Sequence, residues 1–519
     1  MSKTINRRTF LKGAALTALG AAGASALAGC APKQTASVLP EKWDQEADIV
    51  IVGGGGTGLV AAVEAVEAGA SVIVLEKGSA YGGSTAVSSG IVLAAGTQAQ
   101  KELTEFKDDN ADKLFNFWNQ AGEGIADPAL VKAMADGAGD CVQWLADHGI
   151  VMNTLYPSAR VPGVEDQYIA ARLHVNTAGP ATGGKFHCDT LYGIATAAGV
   201  KVLLDSPVEK LIRDGDKGVV GVQATSGGTT INVKAKKGVI LASGGYDRNT
   251  EMARTFSPHQ LWALETGVCY CALTNTGDGI RMGMEIGADL AAMGGFIGMP
   301  PTNVGMTPTL PGQPEVPGIL VNKHGQRFVA ESNHYSYVMR LAFAQEGKTA
   351  WTIWDQKTMD LGGTLVSGIS YMSADMAQEI ADGKVIKADT IQELAAAIDV
   401  DPVNLERTIN TWNEDMNSTG VDSVFGSEFG LVPMETPPYY ATKVIEYNLG
   451  SIGGVRINPS GQVLDVHGEP IPHLYAGGQT AGGHMASFYP STGTGVMSTV
   501  FFGRTAAQNA VKETAWDAA

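Results

Sequence analysis

The chain has 519 residues, 66 glycines and a formal net charge of −17, and 44% of its residues are hydrophobic. This length is enough for two or three domains with large cores, and this composition excludes a coiled coil or a disordered chain. The negative charge and the lack of a basic run after residue 12 argue against nucleic acid as a partner. We therefore expect a glycine-rich α/β protein with many tight turns.

The first thirty residues carry the pattern of an export signal. Residues 6–13, NRRTFLKG, match a twin-arginine signal, and an apolar stretch rich in alanine and glycine follows. Residues 27–30, LAGC, then match a lipobox, in which Cys30 is acylated and becomes the mature N-terminus. An uncleaved N-terminal anchor is the alternative. Both patterns predict an extracytoplasmic protein attached to the cell membrane, with residues 31–46 as a polar tether.

Residues 47–78, ADIVIVGGGGTGLVAAVEAVEAGASVIVLEKG, predict a strand, a helix and a second strand that together bind a dinucleotide. In such a unit Gly53 permits the tight turn, Gly55 lets backbone amides approach the pyrophosphate, and Gly58 lets the helix lie close to the strand. Glu76 ends the second strand, where a carboxylate accepts hydrogen bonds from the ribose hydroxyls.

Further glycine-rich segments favour FAD over NAD, because repeated contacts along the chain fit a longer ligand. These segments are YGGSTAVSSG at 81–90, GVILASGGYDRN at 238–249, TGDG at 276–279 and LYAGGQTAGG at 474–483. Together with the residues after the last segment, they complete the predicted cofactor-binding set: Lys77, Gly83, Ser84, Thr85, Ser89, Gly90, Ala242, Ser243, Gly244, Asp278, Gly478, Gln479, Thr494, Gly495 and Val496.

Four cysteines follow Cys30, and their spacing matches no zinc site and no haem attachment motif. We expect ordinary buried thiols and no metal, and a disulfide, which is permitted outside the cytoplasm, is the alternative. The four are Cys141, Cys188, Cys269 and Cys271.

On these motifs the chain resembles, over residues 47–510, the FAD-dependent flavoprotein family of fumarate reductase, urocanate reductase, aspartate oxidase and the 3-ketosteroid Δ1-dehydrogenases. The resemblance implies an α/β fold with a Rossmann-like FAD-binding domain split in sequence, at 47–295 and 446–519. A capping α+β domain is inserted at 296–445. It also places Val208 against the adenine and a return strand at 452–465. Within the cap, residues 390–416 predict two amphipathic helices that break near Asp401 and Pro402.

The same resemblance addresses the substrate. In fumarate reductases, two arginines protonate the substrate and clamp its carboxylate. The matching runs here, RFVAESNHYSY at 327–337 and GGHMASFYPSTGTG at 482–495, carry Tyr335 and Tyr489 instead. This pattern is similar to the ketosteroid dehydrogenases, which implies that Tyr335 handles the proton beside a ketone while Tyr489 and Gly493 bind its oxygen. Packing is the alternative role for both tyrosines.

The sequence leaves two further questions undecided, which are the identity of a third tyrosine and the role of a histidine. The ketosteroid dehydrogenases use a third tyrosine, for which both Tyr156 and Tyr168 are candidates. His484 lies one position from a family histidine and either contacts substrate or is a hydrogen-bonded bystander.

We thus expect an extracytoplasmic FAD-dependent oxidoreductase that acts on a C–C/C=C bond conjugated to a ketone in an enone or ketosteroid-like substrate. It would work as a reductase on a terminal electron acceptor in anaerobic respiration. A separate redox partner is expected, because the chain has no haem motif and no second flavin domain. One alternative is a reductase of fumarate or urocanate that uses Arg172, Arg340 or His484 as substitute cations. The other is a flavin electron carrier without turnover.

Overall fold

The computed structural model describes residues 39–164, 169–177, 183–266, 269–299, 318–360, 376–427, 430–485 and 489–517. The predicted export signal, the lipobox and Tyr168 lie outside these residues.

The described strands are β1 Gln45–Val52, β2 Val72–Leu75, β3 Val92–Leu93, β4 Thr154–Pro157, β5 Ala171–Val175, β6 Lys201–Leu203, β7 Val208–Arg213, β8 Val219–Ser226, β9 Thr229–Leu241, β10 Leu290–Met299, β11 Ile319–Asn322, β12 Ala350–Asp355, β13 Val385–Ala388, β14 Tyr439–Lys443, β15 Tyr447–Arg456, β16 Gln462–Leu464, β17 Pro470–Ala476 and β18 Ala481–Gly482.

The described α-helices are α1 Gly56–Glu67, α2 Gly83–Ala86, α3 Gln98–Leu103, α4 Ala111–Ala121, α5 Pro128–Asp147, α6 Gly183–Ala197, α7 Thr250–Phe256, α8 Gln260–Thr266, α9 Asp278–Glu285, α10 Tyr335–Phe343, α11 Gln356–Asp360, α12 Met376–Ala381, α13 Ile391–Ala397, α14 Pro402–Ser418 and α15 Thr494–Ala510. Short 3₁₀ helices occur at Gly215–Lys217, Glu346–Lys348 and Gly478–Thr480.

The largest sheet has the order β16, β17, β9, β1, β2, β6, and β8 and β7 continue from β9. Its central strands β17, β9, β1, β2 and β6 are parallel. Strand β1 is buried on both faces from Ile49 to Val52, which explains its uninterrupted apolar run. Because β17 comes from the C-terminal part of the chain, two distant segments complete one sheet.

Helix α1 lies directly against the sheet and is covered by α15. A Cβ atom at Gly58 would lie 2.0 Å from the Gly53 carbonyl oxygen, so a side chain there would push the helix away from β1. A Cβ atom at Gly503 of α15 would lie 2.9 Å from the Thr57 carbonyl oxygen. These two glycines allow both helices to pack at short range over the cofactor-binding turn.

A second unit is built around the antiparallel sheet β11, β12, β14, β13. Helices α13 and α14 cover it through Leu394, Leu405, Ile409 and Trp412, which pack in one core with Ile353. The predicted pair of helices is confirmed, with Asp401 as the N-cap of α14 and Pro402 in its first turn. Thr390 and Glu393 form a capping box at the start of α13.

Strands β10, β15 and β18 form a three-stranded sheet between these units, and β3, β5 and β4 form another. The predicted return strand at 452–465 is two strands, because the chain turns between β15 and β16. In that turn the Asn458 amide donates to the Gln462 carbonyl at 3.1 Å, and Gly461 adopts φ +75°. All four cysteines after Cys30 are free thiols. Within the described ranges, no helix combines the length and hydrophobicity needed to cross a bilayer.

Candidate active site

A cavity opens at the carboxyl ends of β1, β2 and β9. Most predicted cofactor-binding residues line it: Gly53, Gly55, Glu76, Lys77, Gly83, Ser84, Thr85, Val208, Ala242, Ser243, Gly244, Asp278 and Gln479. Ligands of doubly wound sheets bind at this edge, beyond the ends of the strands. We call this the cofactor cavity.

The remaining predicted cofactor residues lie elsewhere. Ser89, Gly495 and Val496 line the adjoining cavity described below. Gly58, Gly90, Gly478 and Thr494 line neither cavity, and the three glycines instead permit close packing of the backbone around them. For example, a Cβ atom at Gly90 would lie 2.6 Å from the Gly183 carbonyl carbon.

The cofactor cavity fits the pyrophosphate and ribose of FAD. Gly55 is the N-cap of α1, and no side chain caps the first turn of that helix within the described residues. The amides of this turn are therefore available to an anion, which the helix dipole also favours. Glu76 is held at the cavity wall by the amides of Gly54 and Gly78, both at 2.7 Å. Burial raises the pKa of Glu76, and these two amides oppose that shift.

Lys77, Thr276 and Asp278 form a polar group at the mouth of the cofactor cavity. The Lys77 ammonium donates to Thr276 Oγ1 at 2.6 Å and to Asp278 Oδ2 at 2.9 Å. Deeper inside, the Ser84 hydroxyl accepts from the Ala272 amide and the Asn275 side chain, each at 3.0 Å. These bonds hold the cavity wall together from three separate segments of the chain.

A second cavity of about 470 Å³ adjoins the first, and the two share Ser84, Thr85, Gln479 and Thr499. We call it the substrate cavity. Its other described lining residues are Val87, Ser88, Ser89, Ile91, Tyr270, Ile297, Tyr335, Leu449, Met485, Tyr489, Thr492, Gly493, Gly495 and Val496. None of the described residues that line it carries a charge at neutral pH.

The Tyr489 hydroxyl lies at the N-terminus of α15. It accepts a hydrogen bond from the Gly495 amide at 2.6 Å, and the Gly493 amide also faces it. Burial raises the pKa of Tyr489, and the Gly495 and Gly493 amides oppose this shift. Since its oxygen already accepts from the backbone, its own proton is available to a ligand oxygen in the cavity.

Tyr335 stands opposite, at the first position of α10, with its ring centroid 6.4 Å from that of Tyr489. Both tyrosines are 6% exposed. Burial and the neighbouring Tyr489 raise the pKa of Tyr335, and the nearby Thr492 side chain lowers it. The Tyr489 amide donates to the Ser336 hydroxyl at 3.3 Å, which ties the two segments together.

The Arg327 side chain of the RFVAE run has a structural role. It binds Glu331 through Nε at 2.9 Å and Asp422 through Nη1 at 2.8 Å. Its guanidinium group stacks over Trp412 at 4.8 Å. This buried network fixes the loop that leads into α10, and therefore fixes the position of Tyr335.

The cations considered as substitutes for a carboxylate clamp lie elsewhere. Arg172 is buried in a two-bond ion pair with Asp109, with contacts of 2.7 and 2.8 Å. Arg340 binds Glu123 at 2.7 Å on the surface. His484 is buried with its ring 5.4 Å from Phe502, and burial lowers its pKa to about 4. None of these three lines the substrate cavity.

Other side chains at the site escaped the sequence analysis. Thr57, Asn275 and Thr499 line the cofactor cavity, and Tyr270 and Thr492 line the substrate cavity. Thr57 and Asn275 adjoin glycine motifs, which could have indicated them. No sequence motif marks Tyr270, which the fold places at the cavity with its ring 5.3 Å from that of Tyr447. Tyr156 is half-buried in β4 and is not among the lining residues.

The sequence profile described as FAD binding domain matches residues 48–496. The chain belongs to this FAD-binding family. The digoxin reductase of Eggerthella lenta is 29% identical over 558 aligned positions, which cover 100% of this chain and 99% of that protein. A probable fumarate reductase of Shewanella frigidimarina is 30% identical over 89% of this chain and 74% of its own length.

Among solved structures, the 3-ketosteroid-Δ4-(5α)-dehydrogenase of Rhodococcus jostii superposes with a TM-score of 0.77 and 26% identity. It covers 92% of this chain and 99% of its own. The predicted FAD cofactor, family and α/β fold with a cap are confirmed. The protein is an FAD-dependent oxidoreductase that acts on CH–CH groups.

Proposed function

We propose that this protein reduces a carbon–carbon double bond conjugated to a ketone, in an enone or ketosteroid-like substrate. The observation that carries the proposal is the pairing of Tyr335 and Tyr489 in a cavity without charged walls among the described residues. A ketone needs hydrogen-bond donors at its oxygen and apolar surface around its carbon skeleton. The substrate cavity offers both.

The cavity walls disfavour a dicarboxylate. An anion removed from water requires a cation or several charge-assisted hydrogen bonds. The described lining instead combines hydroxyls and amides with Ile91, Ile297 and Leu449.

Bound FAD would supply the hydride at its N5 atom. Transfer of hydride to the β-carbon places enolate charge on the ketone oxygen, where the Tyr489 hydroxyl can donate while the Gly495 and Gly493 amides hold that hydroxyl. Fixed donors at a developing oxyanion contribute ~3–4 kcal/mol each to transition-state stabilisation. The first turn of α15 lies behind this hydroxyl, so its dipole also favours negative charge there.

Tyr335 then gives its hydroxyl proton to the α-carbon: its O–H bond breaks as the C–H bond forms, and the enolate becomes a saturated ketone. Its position opposite Tyr489 supports this division between binding the oxygen and protonating the carbon. The reverse sequence would describe a dehydrogenation.

We also propose that the enzyme works outside the cytoplasm, attached to the membrane through lipid on Cys30. The support comes from the twin-arginine run at 6–13 and the lipobox at 27–30. In this location the conjugated substrate would act as a terminal electron acceptor, and a separate redox partner would reduce the flavin.

The test uses purified FAD-loaded protein whose flavin is photoreduced without oxygen. We expect an enone, but not fumarate or urocanate, to restore the oxidised flavin spectrum. Tyr489→Phe and Tyr335→Phe should each slow this reaction about 10²-fold or more while FAD stays bound. Tyr475→Phe is the matched control, because its buried hydroxyl bonds Glu513 at 2.7 Å and does not line the cavity.

Two outcomes would reject the proposal. Reoxidation by fumarate or urocanate alone would favour the carboxylate reductase. Reoxidation by none of these acceptors, with fast exchange to redox dyes, would favour an electron carrier.

A further inference from the structure

His334 immediately precedes Tyr335 and is completely buried. Its backbone amide donates to the Arg160 carbonyl at 2.7 Å, and its ring centroid lies 4.1 Å from that of Tyr335. It is also the N-cap of α10, where its side chain accepts from the Ser336 amide at 3.4 Å. The backbone of His334 is therefore tied to the Arg160 segment, and its ring is tied to the first turn of α10.

The hydrogen bond from Ser336 fixes the tautomer of His334. Because Nδ1 accepts from an amide, the proton of the neutral ring is on Nε2. Burial lowers the pKa of His334 to about 3, so the ring stays neutral at ordinary pH. Nε2 lies 3.4 Å from Thr492 Oγ1, and it must be the donor in that contact.

Thr492 continues the chain. Its hydroxyl oxygen receives the histidine proton, so its own proton is free to turn towards the Tyr335 hydroxyl, whose pKa Thr492 lowers. Thr492 lines the substrate cavity beside Tyr335. The direction of donation is thus from the Ser336 amide to His334 and from His334 to Thr492, which leaves the Thr492 proton for the Tyr335 hydroxyl.

We infer that His334 and Thr492 are positioning residues, which hold the Tyr335 hydroxyl with its proton directed at the substrate and stabilise the phenolate left after proton transfer. This inference rests on the proposed function. No proton passes through the chain, since neutral His334 would become an anion. Burial disfavours the Tyr335 phenolate, and the Thr492 hydroxyl supplies a donor that partly offsets this effect. The titratable groups that face Tyr335 include Tyr489 and His334.

The test compares paired substitutions in the FAD-loaded enzyme. Thr492→Val and His334→Leu remove the donors, whereas Thr492→Ser and His334→Gln keep one at each position. We expect the first pair to lower kcat about tenfold or more with KM nearly unchanged, and the second pair to recover most of that loss. His187→Leu is the control, because His187 is similarly buried, on α6, and lines neither cavity.

A second readout needs no substrate. In ¹⁵N NMR spectra of the holoenzyme, the signal of His334 is identified as the one that His334→Gln lacks. We expect this signal to show a neutral ring protonated at Nε2 from pH 5 to 9. A ring protonated at Nδ1, or full turnover in Thr492→Val, would overturn the inference. Tyr335→Phe separates the two levels: if it loses turnover while Thr492→Val and His334→Leu do not, only the positioning roles are wrong. If Tyr335→Phe also keeps full turnover, the proposed function fails with them.

Discussion

Glu446 is buried without a hydrogen-bond partner for either carboxylate oxygen among the described residues. Burial, with a smaller contribution from Cys269, raises its pKa from 4.5 to about 8. Between these two pH values the folded protein keeps a proton that the unfolded chain has released. Stability present below pH 4.5 is therefore lost as the pH rises to about 8, by up to ~1.4 kcal/mol per pH unit.

Glu446→Gln should remove this loss, because an amide has no charge to bury at any pH. We expect the variant to melt at a higher temperature than the wild type at pH 8 and at the same temperature near pH 5. Calorimetry across this range measures the difference, with exposed Glu105→Gln as the control. Equal melting temperatures of variant and wild type at pH 8 would contradict the argument.

For single residues, the sequence indicates which side chains meet at the cavity, while their catalytic roles stay predictions. Tyr335 and Tyr489 could be assigned because each lies in a short motif, and the structure brings these motifs together around one cavity. His334 and Thr492 lie in the same motifs but were not singled out. Their importance depends on which nitrogen or oxygen faces which neighbour, and spacing along the chain carries no information about that.

At the scale of elements, the start of α15 depends on Gly493. This residue adopts φ +86°, and a Cβ atom there would lie 2.7 Å from the Leu93 amide nitrogen. Gly69, after α1, adopts a similar φ of +83° but has open space around it. A side chain at either position would therefore have the conformational cost of a positive φ, and only at Gly493 would it also clash with the backbone.

Gly69→Ala should cost ~1–2 kcal/mol of unfolding free energy, the usual penalty for a left-handed residue with a side chain. Gly493→Ala should cost clearly more, because β3 or the turn must move, and turnover should fall with the displaced Tyr489. Thermal unfolding and flavin reoxidation measure both effects. If both variants lost the same stability and kept full turnover, the turn would not have the tight packing described.

Elements with local signals could be predicted. The first strand, the glycine turn and α1 follow from one segment, and the capping residues define the ends of α13 and α14. The pairing of β10 with β15 could not be predicted, because the partners Leu290 and Val455 are far apart in sequence. The cap boundary at 296 therefore falls inside β10, which runs from Leu290 to Met299. The domain boundaries themselves stay predictions.

For the whole molecule, the proposed attachment to the membrane depends on one thiol near the N-terminus. Cys30→Ala should leave export intact but release the protein into the soluble extracytoplasmic fraction. Replacing Arg7 and Arg8 by lysine should instead retain it in the cytoplasm. Cell fractionation with an antibody to the protein measures both, and Cys141→Ala is the control because that thiol is free and buried. Membrane association of Cys30→Ala equal to the wild type would exclude lipidation at this residue.

Strand β17 and helix α15 complete the sheet and cover α1, although hundreds of residues separate them from the first Rossmann unit. During synthesis, the apolar surface of α1 stays uncovered until these last elements have been made. At ~5–20 residues per second, the ribosome needs roughly 20 to 90 s to make the intervening chain. A nascent chain stalled before residue 494 would therefore expose this surface, which makes chaperone capture and misassociation the main hazards of its biogenesis.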